Sequence, residues 1–368
     1  MSISLADKTL KTMVELIAID SPSGHEESIR LDLIERLSGL NIVVETDTAG
    51  NLLGHLAATK GYEQKPVILI NCHMDTVPNA VKVTPIISDG FVRSDGTTAL
   101  GADDKAGLAA ALTALGTIQE KNIPHGPIVI LFTVAEEVGL EGAKAFDIEK
   151  LGAISRGYTL DASGPVGTAI LSSPSKSDAT IVFHGKAAHA GFCPEKGLSA
   201  ISLAARAIDR MRLLRIDHET TANIGTIHGG EVTNIVCDRC EVSLEVRSAT
   251  KEQVNAHLAH IEFCCIKAIN DFGGSYEFNY QELYPAYRID EKDPQLLAFK
   301  AVCDRLNIPY AARNAGGGSD ANILRNSGIP IINLALGYEG AHTLEESIAI
   351  QELENITKLL VALCEVQN

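Results

Sequence analysis

The chain has 368 residues, 45% of them apolar and 21% charged, and a formal net charge of -16. That length exceeds what a single core usually fills and predicts two domains, while the composition excludes a long disordered chain. An average surface this acidic repels polyanions, and no Lys/Arg-rich run interleaved with aromatics offsets it, so nucleic acid is not an expected partner.

Helical periodicity runs over Leu5 to Ile17 and over Glu26 to Leu37, the second entered through Ser21-Pro-Ser-Gly-His. The N-terminus carries no basic stretch followed by an apolar one, and no apolar window reaches the roughly 20 residues of a membrane span. The expectation is a soluble, cytoplasmic protein without a membrane partner. Short apolar runs at Asn51 to Leu56, Pro66 to Cys72, Ile128 to Val134 and Ile329 to Leu336 read as strands buried on both faces, and Asp104 to Ile118 between them reads as a helix. Strand, helix and strand at this spacing predict βαβ units, giving an α/β fold with a mixed, mostly parallel sheet flanked by helices.

From about Ser175 the texture changes. Strands are expected at Asp178 to Phe183, Ala222 to His228 and Asp238 to Val246, and helices at Leu198 to Met211 and Lys251 to Asn270. After Ile289 the first texture resumes, with helices at Pro294 to Leu306 and Ile348 to Val366. The expected organisation is a discontinuous domain, 1–174 plus 288–368, interrupted by a smaller α+β domain at 175–287. Eight cysteines without an export signal read as reduced thiols, and Cys237-Asp-Arg-Cys240 reads as strand sequence rather than a zinc or redox pair.

Several polar groups stand where apolar strands end, the place where open α/β sheets put their binding crevice. His73 and Asp75 follow the run ending at Cys72, so that a ring nitrogen can face a metal while a carboxylate two positions on holds the other. The same pair also fits an ordinary hydrogen-bonded strand end. Asp103-Asp104, in Leu100-Gly-Ala-Asp-Asp-Lys105, fits either a cation site or an acidic helix cap. Glu136-Glu137 closes the third run; two consecutive carboxylates there are costly to bury without a cation or a proton, and cost nothing if solvated. Asp161 and His342 are individually weak, as a turn residue and a helix cap. Together these groups make two imidazoles and three carboxylates, a donor set for zinc, cobalt or manganese.

In this order and spacing, His73-Met-Asp75-Thr-Val-Pro78, Gly101-Ala-Asp103-Asp104-Lys105, Glu136-Glu137-Val-Gly139, Asp161 and His342 resemble the zinc-dependent exopeptidase family of peptidase T, aminoacylase, dipeptidase and glutamate carboxypeptidase. Within that family the chain is similar to the peptidase T-like branch over essentially its whole length. The resemblance implies two zinc ions, one on His73, Asp103 and Asp161 and one on Asp103, Glu137 and His342, with Asp103 shared. It implies Glu136 as general base, Asp75 as the group that orients His73, and a cis bond between Asp103 and Asp104. Aspartate at position 161 goes with aminopeptidases and dipeptidases, so short peptides are the implied substrates.

The inserted segment resembles the family's lid, through Gly185-Lys-Ala-Ala-His189-Ala-Gly191, Gly229-Gly-Glu-Val-Thr-Asn234 and Glu245-Val-Arg247. The resemblance implies that His189 polarises the scissile carbonyl, that Asn234 and Arg247 grip the substrate, and that the lid closes and forms a homodimer. Gly316-Gly-Gly318-Ser319-Asp320 resembles the glycine-rich loop beside the substrate, which brings in Gly318 and Ser319; a plain flexible turn fits it equally well. The expected chemistry is a metal-activated water that gives its proton to Glu136 and attacks the peptide bond. A deacylase or carboxypeptidase on the same scaffold is the rival within enzymes, and a silent binding protein is the rival outside them. A serine hydrolase is disfavoured, since the chain has no Gly-x-Ser-x-Gly elbow.

Overall fold

The computed structural model describes residues 4–366; residues 1–3, where the segment read for an export signal begins, and residues 367–368 lie outside it, as do the outermost limits of the expected first domain. The chain divides into two compact units. One takes the chain up to Ser172, Arg288–Ala315 and the residues from Ser319 on; the other takes Ser173–Tyr287 and Gly316–Gly318.

The first unit is a mixed α/β structure built on a sheet whose central path runs Val43–Thr46, Leu52–Leu56, Ile128–Thr133, Ile68–His73, Arg156–Ala162, Ile331–Ala335 and Thr168–Ser173. Ile68–His73 pairs in parallel with Ile128–Thr133 on one side and Arg156–Ala162 on the other, and Ile331–Ala335 continues the parallel set. The other neighbours along this path are antiparallel, and Ala311–Asn314 adds to Thr168–Ser173 in parallel off the path. Every residue of Ile68–His73 and Ile128–Thr133 is buried, which is why both read as largely apolar runs.

The helix Ala102–Glu120 is buried on nearly all sides between Ala102 and Leu115. Its alanines leave room for Leu5–Ile17 and Ile350–Cys364 against it, while it also meets the Ile68–His73 and Arg156–Ala162 strands. Its N-terminus is thereby pinned at the carboxyl ends of the parallel strands. A small antiparallel sheet joins Pro85–Ser88, Phe91–Ser94, Ser347–Ala349 and Tyr338–Glu339. The sequence places no strands at 85–94, and it starts the last helix two residues early, across the Ser347–Ala349 strand.

The second unit is a five-stranded sheet in the order Leu214–Arg215, Thr221–Gly229, Arg239–Ser248, Ser175–His184, Ser275–Tyr284, each strand antiparallel to the next. Alternate residues of Ser175–His184 and Arg239–Ser248 point inward. There they pack with Ala200–Ile208 and Lys251–Phe272 around Ile181, Phe183, Val242, Leu258 and Ile261. The expected helix over 198–211 is shorter, because Ser199 caps it by accepting the Ser202 amide. Ser275–Tyr284 is a strand that the sequence reading leaves out.

Candidate metal centre

All five candidate ligands lie in the first unit: His73, Glu137 and Asp161 at or just beyond strand ends, Asp103 at the start of the helix Ala102–Glu120, and His342 in a loop. His73 closes the Ile68–His73 strand. Its Nδ1 lies 3.0 Å from the Asp75 carbonyl oxygen and 3.4 Å from the Asp75 carboxylate, so this nitrogen is the donor. Nε2 faces Asp103 Oδ1 at 3.1 Å and Asp161 Oδ1 at 3.9 Å.

Asp103 enters through a turn in which Gly101 has φ +72°, a left-handed conformation suited to glycine. The Asp103–Asp104 peptide bond is cis. Asp104 does not join the cluster: its Oδ2 accepts the His73 amide at 3.0 Å and its Oδ1 the Gly107 amide at 3.1 Å, binding helix to strand. Glu136 and Glu137 follow the Ile128–Thr133 strand, and their amides are held at 2.9 and 3.2 Å by the Asp75 carboxylate, which Ser23 also reaches at 2.6 Å. Asp161 stands in the Arg156–Ala162 strand and its amide is held by Asn333 at 3.0 Å. His342 projects from the loop before Ser347–Ala349, with Nε2 3.0 Å from Glu137 Oε1 and 3.4 Å from Asp103 Oδ2.

These contacts make two triads that share one residue. The ligand atoms of His73, Asp103 and Asp161 lie within 4.8 Å of one another, and so do those of Asp103, Glu137 and His342. The atoms themselves test whether cations suit the place. Asp161 Oδ2 is a buried carboxylate oxygen without a hydrogen-bond partner, a costly arrangement that a cation resolves. Two imidazoles and three carboxylates also form a donor set for zinc and similar first-row ions.

The electrostatics agree. Burial pushes the Asp161 carboxyl well up, and the charges of Glu136 and Asp103 push it further. Glu136, 9% exposed, is likewise raised by burial first, with Glu137, Asp320 and Asp75 adding to the effect against the opposing charge of His73. Burial would raise Asp103 too, but the hydrogen bonds of His342 and His73 outweigh it and hold its carboxyl below the usual range.

Beneath the centre lies a polar strut that the sequence reading misses. Asp320, 1% exposed at the start of Asp320–Asn326, takes the Thr133 hydroxyl and the Asn71 amide group on Oδ2, and Asn71 in turn accepts the Thr159 hydroxyl at 2.8 Å. It crosses the three strands that lead to Glu136, His73 and Asp161.

The remaining candidates are described within their own units. In the second, His189 is exposed; its Nδ1 accepts the amides of Gly191 and Phe192 at 3.2 and 3.0 Å, which leaves the proton on Nε2. The exposed Asn234 is tied to that loop, its carbonyl accepting the Ala190 amide at 2.9 Å. Arg247 is engaged by Glu245 through Nε at 2.9 Å and Nη2 at 3.1 Å, and donates to the Gly316 carbonyl at 3.2 Å. Gly318 lies flat on Tyr284, where an added Cβ would come within 2.4 Å of a ring carbon. In the first unit Ser319 is buried, its amide donating to Asn322 Oδ1 at 3.0 Å.

A mixed sheet carrying two fused carboxylate-imidazole triads at its strand ends, beside an unligated buried glutamate, defines a metal-dependent hydrolase. Residues 69–366 match Peptidase family M20/M25/M40, and the chain belongs to that family as a peptidase T-like member. It is 41% identical over 363 residues to the uncharacterized protein YqjE of Bacillus subtilis, across 97% of this chain and 98% of that one. The structure of the aminopeptidase PepT from Bacillus cereus is similar with a TM-score of 0.87 at 40% identity, covering 98% of each chain. A tripeptidase from Staphylococcus aureus gives a TM-score of 0.91 at 37% identity, over 98% of this chain and 97% of its own. Among the described residues, no helix is long and apolar enough to cross a membrane.

Proposed function

We propose that the chain is a two-zinc aminopeptidase that cleaves short peptides of tripeptide size. The observation that carries the reading is the sharing of Asp103 between two triads while Glu136, buried beside them, belongs to neither. His73, Asp103 and Asp161 would hold one ion and Asp103, Glu137 and His342 the other; cobalt and manganese suit the same donors. When bound, the two ions supply Lewis acidity that lowers the pKa of water and polarises the peptide carbonyl.

This chain's own residues do the rest. Glu136 takes the proton of the attacking water and returns it to the leaving amine, a role suited to a carboxyl whose burial raises its proton affinity. Asp75 fixes the donor tautomer of His73 and, through two amides, the place of Glu136 and Glu137. The lid residue His189 donates to the carbonyl oxygen; what supports this is the proton left on its Nε2. Arg247 and Asn234, with Gly318 and Ser319, hold the peptide.

Support for the tripeptide preference comes from the relatives, one named an aminopeptidase and another a tripeptidase. The eight free cysteines fit a reducing, cytoplasmic setting. A lid homodimer belongs to the same reading, and the edge position of Ser275–Tyr284 in its sheet supports it.

The test is a panel of free tripeptides, dipeptides and N-acyl amino acids, incubated with zinc-loaded protein and scored by mass for the end that is shortened. Release of the N-terminal residue from tripeptides is expected. Preferential release of acyl groups or C-terminal residues contradicts the proposal.

A further inference from the structure

Two ligands of the second triad, Asp103 in the first turn of the helix Ala102–Glu120 and His342 in a loop, lie far apart in sequence, and one buried side chain joins the two segments. Glu346, 1% exposed, accepts the Gly101 amide on Oε2 at 2.8 Å and the Asp103 amide on Oε1 at 3.1 Å. It stands four residues beyond His342. Its own amide donates to the Thr343 carbonyl at 3.3 Å, while Thr343 turns back on Gly340 through its amide at 3.1 Å and its hydroxyl at 2.7 Å.

His342 needs such an anchor. Its side chain is 51% exposed, and its backbone has φ +67°, a conformation that a non-glycine residue keeps only where its surroundings enforce it. Before it, Gly340 is also left-handed at φ +67°. The contact that reaches the His342 backbone directly is weak, Asn79 Nδ2 on its carbonyl at 3.2 Å. His73, by contrast, is paired with Thr133 in the sheet, and Asp161 stands at a register shift within its strand, where the Asn333 side chain takes both its amide, at 3.0 Å, and its carbonyl, at 2.7 Å.

We propose that Glu346 is a positioning residue for the second cation: it fixes the loop of His342 to the turn of Asp103 and so sets the spacing of the Asp103, Glu137 and His342 triad. The inference rests on the two-cation reading above. Loss of Glu346 then weakens the second ion more than the first, because the first retains His73 and Asp161 on rigid strands.

The experiment is a titration of the metal-free full chain with cobalt(II), followed by its visible absorption, together with the melting temperature of the metal-free protein. Wild type takes up two equivalents. In Glu346→Gln, where one of the two amides loses its acceptor, the second equivalent binds about 10- to 100-fold more weakly while the first changes less than about threefold. The d–d bands of the second equivalent also shift. An unchanged ratio of the two affinities overturns the inference, as does equal weakening of both ions alongside a lower melting temperature, which marks a merely structural role. If Glu346→Gln does not fold, Glu346→Asp, with the charge kept and the reach shortened, carries the same expectation and the same overturning result. A wild-type chain that binds fewer than two equivalents overturns the dinuclear reading itself, and the inference with it.

Discussion

Asp75 Oδ1 accepts the backbone amide of Glu136 at 2.9 Å, although the two residues are 61 positions apart. The same carboxylate reaches the Glu137 amide and lies 3.4 Å from His73 Nδ1, so one buried side chain ties a ligand from each of two adjacent strands to the proposed base. Replacing it by alanine leaves two buried amides without acceptors, at a cost of about 1–3 kcal/mol each. Asp75→Ala is expected to lower kcat/KM at least about 100-fold and reduce the melting temperature, whereas Asp75→Asn retains part of both. Equal activity in all three proteins contradicts this role.

Glu136→Gln keeps the volume of the side chain and removes its basicity. The expected result is full metal content, measured by elemental analysis, with kcat reduced about 10²- to 10⁴-fold. Lost metal together with lost activity would instead make Glu136 a ligand.

Cation uptake should release protons. Hydrogen bonds to Asp103 and Glu137 raise His342 to about 10, and those to Asp103 and Asp75 raise His73 in spite of its burial. In the metal-free protein His342 therefore holds its proton at neutral pH, and a ligand imidazole must give it up. Protons compete with the cation, so zinc affinity falls as pH falls. Calorimetry in buffers of different ionisation enthalpy should find at least about one proton released at pH 7; binding without proton release contradicts the assignment of His342 as a ligand.

Gly107 is the point where the helix after Asp103 meets the sheet. A Cβ there would stand 2.1 Å from Asp104 Oδ1 and 2.9 Å from the Leu160 carbonyl oxygen. Gly107→Ala is expected to displace Asp104 from the His73 amide, destabilise the fold by about 1–3 kcal/mol and weaken metal binding. Denaturant unfolding and a metal titration check the two effects separately; a neutral result in both would mean that the helix shifts freely.

What the sequence displays depends on where each side chain does its work. The runs around Ile70 and Ile130 are legible because parallel strands buried on both faces are dominated by apolar residues, and His73 and Glu137 stand out as ionisable groups at or just beyond their ends. Asp320 is not legible in this way, since its partners Asn71 and Thr133 lie 249 and 187 positions distant and only the folded sheet brings them together. Other omissions left local signals. Asp89 and Gly90 both have positive φ and form the turn between Pro85–Ser88 and Phe91–Ser94, the Asp-Gly signature of a tight hairpin. Tyr276, Phe278 and Tyr280 alternate along Ser275–Tyr284, a period-two pattern that Gly273-Gly274 introduces.

Whether Asp103 is shared by two cations is measured directly by anomalous X-ray scattering at the zinc edge from zinc-loaded crystals. Two peaks are predicted on either side of the Asp103 carboxylate, each within about 2.0–2.2 Å of its ligand atoms, one reaching His73 and Asp161 and the other Glu137 and His342. A single peak, or peaks away from Asp103, would contradict the account.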